Sequence, residues 1–182
     1  VLMAMVAVTA LSGAGQFTLF SYFAPYYRQV LGASTEQITL LLMWFGAFGL
    51  IGNLVLTRVI DRVGPNRAVA VSLSLIACAL LVWPLGGSVA TMLLVLVPWA
   101  LGTFSSNSTQ QARLGMAAPE LAPALMALNT SAIYLGQAVG AAGGGWLVSH
   151  GGFGPLNWVA LGWMLLAITV SLWAGRRKVL FT

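Results

Sequence analysis

Six apolar segments, each long enough to cross a membrane, follow one another along this chain with only short connections between them. A bilayer core about 30 Å thick needs about 20 largely apolar residues in a helix. The segments cover approximately residues 1–24, 37–59, 68–85, 90–108, 123–148 and 156–174. Because a lipid-exposed backbone must satisfy its own hydrogen bonds, we expect one all-α membrane domain over residues 1–182, a bundle of six transmembrane helices.

The scarcity of charge excludes several other classes of protein. Only 6% of the 182 residues are charged and 59% are hydrophobic, which is too little charge for the exterior of a soluble domain. The net charge is +5, but the basic residues stand at the ends of the apolar segments and form no continuous patch. We therefore expect the lipid bilayer as a partner and no nucleic acid.

Enzymatic and metal-dependent functions find no support in the sequence. It contains no His, Cys, Asp and Glu set with metal-ligand spacing, no P-loop and no HExxH helix. The one cysteine, Cys78, lies in an apolar segment and cannot form an intrachain disulfide. The sequence predicts a protein that is not an enzyme and has no cofactor or metal.

The basic residues lie almost all on one side of the predicted bundle. With six spans, both chain ends and the second and fourth connections share that side, and the opposite side holds only Arg28. Because cytoplasmic loops carry an excess of Lys and Arg, we expect a multi-pass protein of the inner cell membrane with both ends in the cytoplasm. The seven residues on the cytoplasmic side are Arg58, Arg62, Arg67, Arg113, Arg176, Arg177 and Lys178.

The stretch TRVIDRVGPNR, residues 57–67, holds four charged side chains and suggests more than a topology anchor. An anchor needs only positive charge, whereas this stretch also has Asp61 and, three residues later, Gly64. A carboxylate near a helix end can pair with a cation or accept hydrogen bonds from a neighbouring helix. The alternative is a solvated loop charge that contributes about 0–1 kcal/mol.

The run DRVGPNR, from Asp61 to Arg67, resembles the loop motif of the major facilitator superfamily, roughly G-x-x-x-D-R-x-G-x-R. Thr57 stands where that motif usually has its first glycine. The segments FSYFAPYYRQVLGAS, LLMWFGAFGLIGN and ALNTSAIYLGQAVGAAGGGWL look like the seventh, eighth and eleventh helices of bacterial efflux members. The likeness covers essentially the whole chain and is greatest to the arabinose-efflux-permease-like and drug:proton antiporter branch.

The resemblance implies that the six spans are the C-terminal half of a twelve-span secondary transporter, built as a 3+3 inverted repeat. It implies efflux of a small organic solute, such as a sugar or drug, by alternating access with an N-terminal six-helix half. No Asp, Glu, Lys, Arg or His lies in the middle of a span, so proton coupling is expected through that other half. A second copy of this chain could take its place.

A self-standing six-helix protein, acting as an oligomeric pore or as a structural membrane partner, is the alternative. A carrier would accelerate exchange of its substrate, a pore would not, and a structural partner would give no flux. The sequence leaves the substrate, the coupling ion and the oligomeric state open.

The resemblance also implies roles for the charged residues of the loop. In the family, the loop aspartate pairs with a basic residue at the cytoplasmic end of a neighbouring helix and forms a latch that favours the outward-open state. This implies a pair of Asp61 with Arg113, and a meeting of Arg62 or Arg67 with Glu120. The implied latch comprises Asp61, Arg62, Gly64, Arg67, Arg113 and Glu120.

Polar and small residues inside the spans supply the remaining candidates. Polar side chains at membrane depth are costly unless they pair or face water. By the resemblance, Gln16, Asn129, Tyr134 and Gln137 touch the substrate, and hydrogen bonds between helices are the equally weighted alternative. Small residues at helical spacing predict close packing between helices. The alternative is that the helices slide along these residues during the transport cycle. The residues are Gly46, Gly49, Gly52, Gly136, Gly140 and Gly144.

Overall fold

The computed structural model describes residues 1–177, and every regular element within that range is helical. This confirms the prediction of an all-α fold. Lys178, and with it the end of the predicted 1–182 domain, lies outside the described residues. The α-helices are α1 (Leu2–Phe20), α2 (Phe23–Gln29), α3 (Thr35–Val63), α4 (Pro65–Val82), α5 (Val89–Ala117), α6 (Ala122–Gly151) and α7 (Leu156–Arg176).

The first predicted span, residues 1–24, consists of two helices in the structure. α1 ends at Phe20 and α2 starts at Phe23. Pro25 explains the break, because a proline ring clashes with the carbonyl four residues earlier, here that of Ser21. By length and composition, five helical segments of the described chain can cross a membrane. α6 is not among them, because its glycines and amides lower its mean hydropathy.

Local signals in the sequence set two of the helix boundaries. A capping box starts α3: Ser34 Oγ accepts from the Gln37 amide at 3.3 Å, and Gln37 Oε1 accepts from the Ser34 amide at 2.9 Å. The reversal from α3 to α4 takes one residue, Gly64, whose φ of 83° suits glycine. Pro65 then begins α4, where its missing N–H costs nothing.

The helix pairs reflect an internal symmetry. α1 packs against α6 and α7, and α5 packs against α3 and α4. When the first three spans are exchanged for the last three, α1 corresponds to α5, α3 to α6 and α4 to α7. The α1–α6 pair then corresponds to α5–α3, and the α1–α7 pair corresponds to α5–α4. These pairs have the pattern that a 3+3 repeat produces, with α1 and α5 at the centre of the bundle.

The two ends of the bundle differ in chemistry. At the arginine-rich end, where α3 ends and α4 begins, the exposed side chains include Arg58, Arg62, Arg67, Arg176 and Arg177. The opposite, aromatic end is closed by packed rings. There, Phe23 stacks on Trp83 with centroids 5.4 Å apart and meets the edge of the fully buried Trp99 at 5.1 Å.

Candidate functional site

A cavity of about 420 Å³ lies between α1, α3, α4, α5 and α6. Toward the aromatic end it is bounded by Phe17, Phe20 and Phe45, and the ring centroids of Phe20 and Phe45 are 5.5 Å apart. α4 contributes Val69 and Leu73 to its wall. The volume is within the range of pockets that bind small organic molecules.

Two polar stripes face each other across the cavity. On α5 the lining polar residues follow helical spacing, at Thr103, Ser106, Asn107 and Gln110. On α1 the corresponding residues are Thr9, Ser12 and Gln16, and α6 adds Gln137. Among the described lining residues none is acidic, basic or histidine. The site can therefore offer hydrogen bonds and aromatic contacts, but no acid–base group.

Most of the lining polar groups already have partners in the protein. Thr9 Oγ1 donates to Asn129 Oδ1 at 2.6 Å, and Ser106 Oγ donates to the Thr103 carbonyl at 2.7 Å. Gln110 Nε2 donates to the Met5 carbonyl. The Thr9 and Gln110 bonds join the cavity wall to neighbouring helices, whereas the Ser106 bond lies within α5.

The carboxamides of Gln16 and Gln137 differ from these groups. Neither side chain makes a recorded hydrogen bond within residues 1–177. The amide atoms of both side chains are also absent from the set of fully enclosed polar atoms that lack a partner. Both amides therefore reach open space in the cavity. Both are available to hydrogen-bond a bound solute.

The other two predicted substrate contacts lie elsewhere. Asn129 is 1% exposed and is held by Thr9, so it stands behind the cavity wall. Tyr134 on α6 is 66% exposed and does not line this cavity. Six polar lining residues were not predicted as substrate contacts: Thr9, Ser12, Thr103, Ser106, Asn107 and Gln110. The i, i+3, i+4, i+7 spacing of the α5 group was the signal that could have found four of them.

The glycines of α6 form a close seam with α1. A Cβ on Gly136, Gly140 or Gly144 would overlap the backbone of α1, with the carbonyl oxygens of Ala10, Ala14 and Thr18 as the nearest atoms in turn. At Gly140 that Cβ would also lie 2.9 Å from the Thr18 nitrogen. Backbone therefore meets backbone along three turns of α6.

The glycines of α3 are less uniform. A Cβ on Gly52 would lie 2.5 Å from Leu101 Cα on α5, and one on Gly49 would overlap the Phe104 ring. At Gly46, predicted as a packing residue, no atom would lie within 4 Å of the Cβ. Gly46 instead borders the cavity.

Arg113 is buried in the structure and is engaged by α7. It is 2% exposed, and its Nη1 and Nη2 donate to Ser171 Oγ and to the Ser171 carbonyl at 2.9 and 3.0 Å. Nε is enclosed and has no hydrogen-bond partner among the described residues. The implied pair with Asp61 is therefore not formed in this structure, because Asp61 lies on the exposed side of α3.

The other residues of the implied latch are at the surface. Arg62, Arg67 and Glu120 are exposed, with no side-chain hydrogen bond recorded to the rest of residues 1–177. Glu120 sits in a 3₁₀ turn between α5 and α6. Gly64 forms the reversal between α3 and α4, so the motif glycine has a structural role independent of any ion pair.

Comparison with known proteins identifies the family. The chain is 30% identical over 164 residues to the transcription regulatory protein OpdE of Pseudomonas aeruginosa PAO1, covering 90% of this chain and 41% of that protein. It is 26% identical over 159 residues to the uncharacterized MFS-type transporter YbcL of Bacillus subtilis 168, covering 87% of this chain and 41% of YbcL. The chain thus spans about two fifths of the length of these relatives. The family model described as Major Facilitator Superfamily matches residues 5–179, and this multi-pass membrane chain belongs to that superfamily.

Proposed function

We propose that this chain is the C-terminal half of a secondary transporter whose cavity receives part of a small organic solute. The observation that carries the proposal is the pair of carboxamides, Gln16 and Gln137, that face the cavity without a recorded partner in residues 1–177. A polar group at membrane depth is costly unless water or a solute satisfies it. A solute that moves through the cavity would supply those hydrogen bonds. Family membership likewise points to a transporter rather than an enzyme.

The missing partner in this proposal is an N-terminal half of six helices. The coverage of about two fifths of each relative is consistent with a half, and a second copy of the chain is the alternative partner. The lining contributed by this half has no ionisable side chain, so we assign proton coupling to the other half. Alternating access then means that the two halves rock around the shared cavity.

Export across the inner cell membrane, with both chain ends in the cytoplasm, completes the proposal. The orientation rests on the concentration of arginines at one end of the bundle. The direction follows the efflux branch that the chain resembles. The lining suits two substrate classes, since hydroxyls and amides fit a sugar whereas Phe17, Phe20 and Phe45 fit the ring of an amphipathic drug.

Counterflow in proteoliposomes that contain the full-length protein tests this function. Vesicles are preloaded with unlabelled arabinose or ethidium, and entry of the labelled compound is followed. We expect preloading with one of the two to accelerate entry. Replacing Gln16 and Gln137 together by leucine should lower the initial rate at least tenfold, because the solute then loses both amides. Thr169→Val, on the exposed face of α7 with its hydroxyl bonded to the Leu165 carbonyl, is the control.

The outcomes separate the candidate functions. Flux that preloading does not accelerate would indicate a pore, and no flux of either compound would favour a structural partner. A normal rate in the double leucine variant would remove the two amides from the solute path.

A further inference from the structure

The start of α4 and the end of α7 meet at the arginine-rich end of the bundle. A methyl group on Gly175 would lie 3.3 Å from Asn66 Cγ and 3.6 Å from Arg113 Nη2. Asn66 is the second residue of α4, and Gly175 lies in the last turn of α7. The helices α4, α5 and α7 therefore converge at one place, and the guanidinium of Arg113 on α5 lies beneath the junction of α4 and α7.

The charges at this place are positive and incompletely paired. Arg67 follows Asn66, and Arg176 and Arg177 follow Gly175, all with exposed side chains. Within residues 1–177 the buried Arg113 bonds only the neutral groups of Ser171, and its Nε has no partner there. A buried guanidinium without a carboxylate among its partners favours an anion nearby.

The N-terminus of α4 adds unsatisfied amides to the same place. α4 has no side-chain cap. Its first backbone hydrogen bond runs from the Ala68 amide to the Gly64 carbonyl at 3.0 Å. The amides of Asn66 and Arg67 therefore have no acceptor in their own helix. The positive end of the α4 dipole adds to the preference for a bound anion.

The surface adjoining this place is apolar and faces lipid. Val71 stands four residues after Arg67 on α4, and Leu172 four residues before Arg176 on α7, so each shares a helix face with its arginine. Val71 is 48% exposed and Leu172 is 47% exposed. An anion bound at the arginines would thus lie directly above two apolar strips on neighbouring helices.

Trp173 places this region at the depth of the lipid headgroups. It is 49% exposed, and Arg177 Cζ lies 5.6 Å from the centroid of its ring. Tryptophan and arginine side chains of this kind collect where hydrocarbon meets headgroup. A soluble anion would need the charges but would make no use of the apolar strips, so the neighbouring surface favours a lipid.

The geometry points to a binding site for an anionic glycerophospholipid, such as phosphatidylglycerol, in the α4–α7 groove. Its phosphate would lie among Arg67, Arg176 and the free amides of α4, above the buried Arg113. Its acyl chains would lie along Val71 and Leu172. This site is separate from the central cavity and does not depend on what the protein transports.

Native mass spectrometry of the delipidated full-length protein tests the proposal, with dioleoyl phosphatidylglycerol and dioleoyl phosphatidylcholine as probes. We expect at least tenfold tighter binding of phosphatidylglycerol. The double variant Arg67→Gln with Arg176→Gln should weaken that binding at least tenfold. A variant of equal charge, Arg28→Gln with Arg58→Gln, should change it less than twofold, because these exposed arginines belong to α2 and α3 and not to α4 or α7.

Three outcomes would overturn the site. Equal affinity for the two lipids would remove its anion preference. Equal weakening in the two double variants would indicate diffuse attraction to positive charge. Equal affinity for glycerophosphoglycerol, which has the headgroup without acyl chains, would indicate a site for a soluble anion.

A second measurement does not require the arginine variants to fold. Phosphatidylglycerol with brominated acyl chains should quench the fluorescence of Trp173. The loss of tryptophan fluorescence on adding this lipid should therefore be larger in the wild type than in Trp173→Phe. Equal quenching in those two proteins would place the lipid elsewhere.

Discussion

The α1–α6 seam and the α3–α5 seam are related by the exchange of the two three-helix repeats, yet they are built differently. In the first, Gly136, Gly140 and Gly144 all face backbone. In the second, only Gly52 does so, Gly49 faces the Phe104 ring, and the glycine row opens into the cavity at Gly46. A row of glycines spaced by four residues on α6 thus produces a continuous contact, whereas a row spaced by three on α3 ends in a cavity wall.

The difference has a physical cause and suggests which seam moves. Close backbone contact leaves no room for adjustment, because the atoms on both sides are fixed to their helices. A ring can change its rotamer, and a cavity beside the seam offers space. We therefore expect the α1–α6 seam to stay fixed and the α3–α5 side to carry the conformational change.

The largest expected effect is that of Gly140→Leu. The new side chain would overlap the backbone at Ala14 and Thr18 and force α1 away from α6, at a cost of about 3 kcal/mol. The melting temperature measured by fluorescence-detected gel filtration should fall markedly. Gly143→Leu is the control, since no atom lies within 4 Å of a Cβ there. An equal fall in both variants would contradict the close seam.

Gly52 and Gly46 should respond to alanine in opposite directions. Gly52→Ala brings a methyl group against the backbone of Leu101 and should cost about 1–3 kcal/mol. Gly46→Ala meets no neighbour and should gain up to about 1 kcal/mol, since alanine favours the helix over glycine. Thermal melting of the two variants checks this. Destabilisation by Gly46→Ala would show that α3 is as tightly packed there as at Gly52.

Asp61→Asn should have the smallest effect on stability and a visible effect on transport. Asp61 is exposed at the end of α3, so the stability should change by less than about 0.5 kcal/mol. If Asp61 and Arg113 pair in another state of the cycle, the variant should shift the balance between states. Counterflow and the accessibility of a cysteine at position 137, in a Cys78→Ser background, would show that shift. No change in either would remove the latch.

The helical class could be predicted from the sequence, whereas the number of helices and the site could be predicted only in part, since the first span is two helices. The apolar segments and the Ser34 and Gly64 signals are local, so they act whatever the neighbours are. Gln16 and Gln137 were identified because they are polar within apolar segments. Tyr134 satisfied the same criterion but does not line this cavity, because the face that α6 turns to the cavity depends on α1, more than one hundred residues earlier.

The sequence by itself determined that this chain is a helical membrane bundle with its arginines gathered at one end. Hydrophobicity and turn chemistry are properties of neighbouring residues, and they act along the chain. Only the tertiary structure decided that Arg113 meets Ser171 rather than Asp61, that Asn129 binds Thr9, and that Gly46 borders a cavity. Each of these contacts joins helices far apart in the sequence, and the packing of the whole bundle selects the partner.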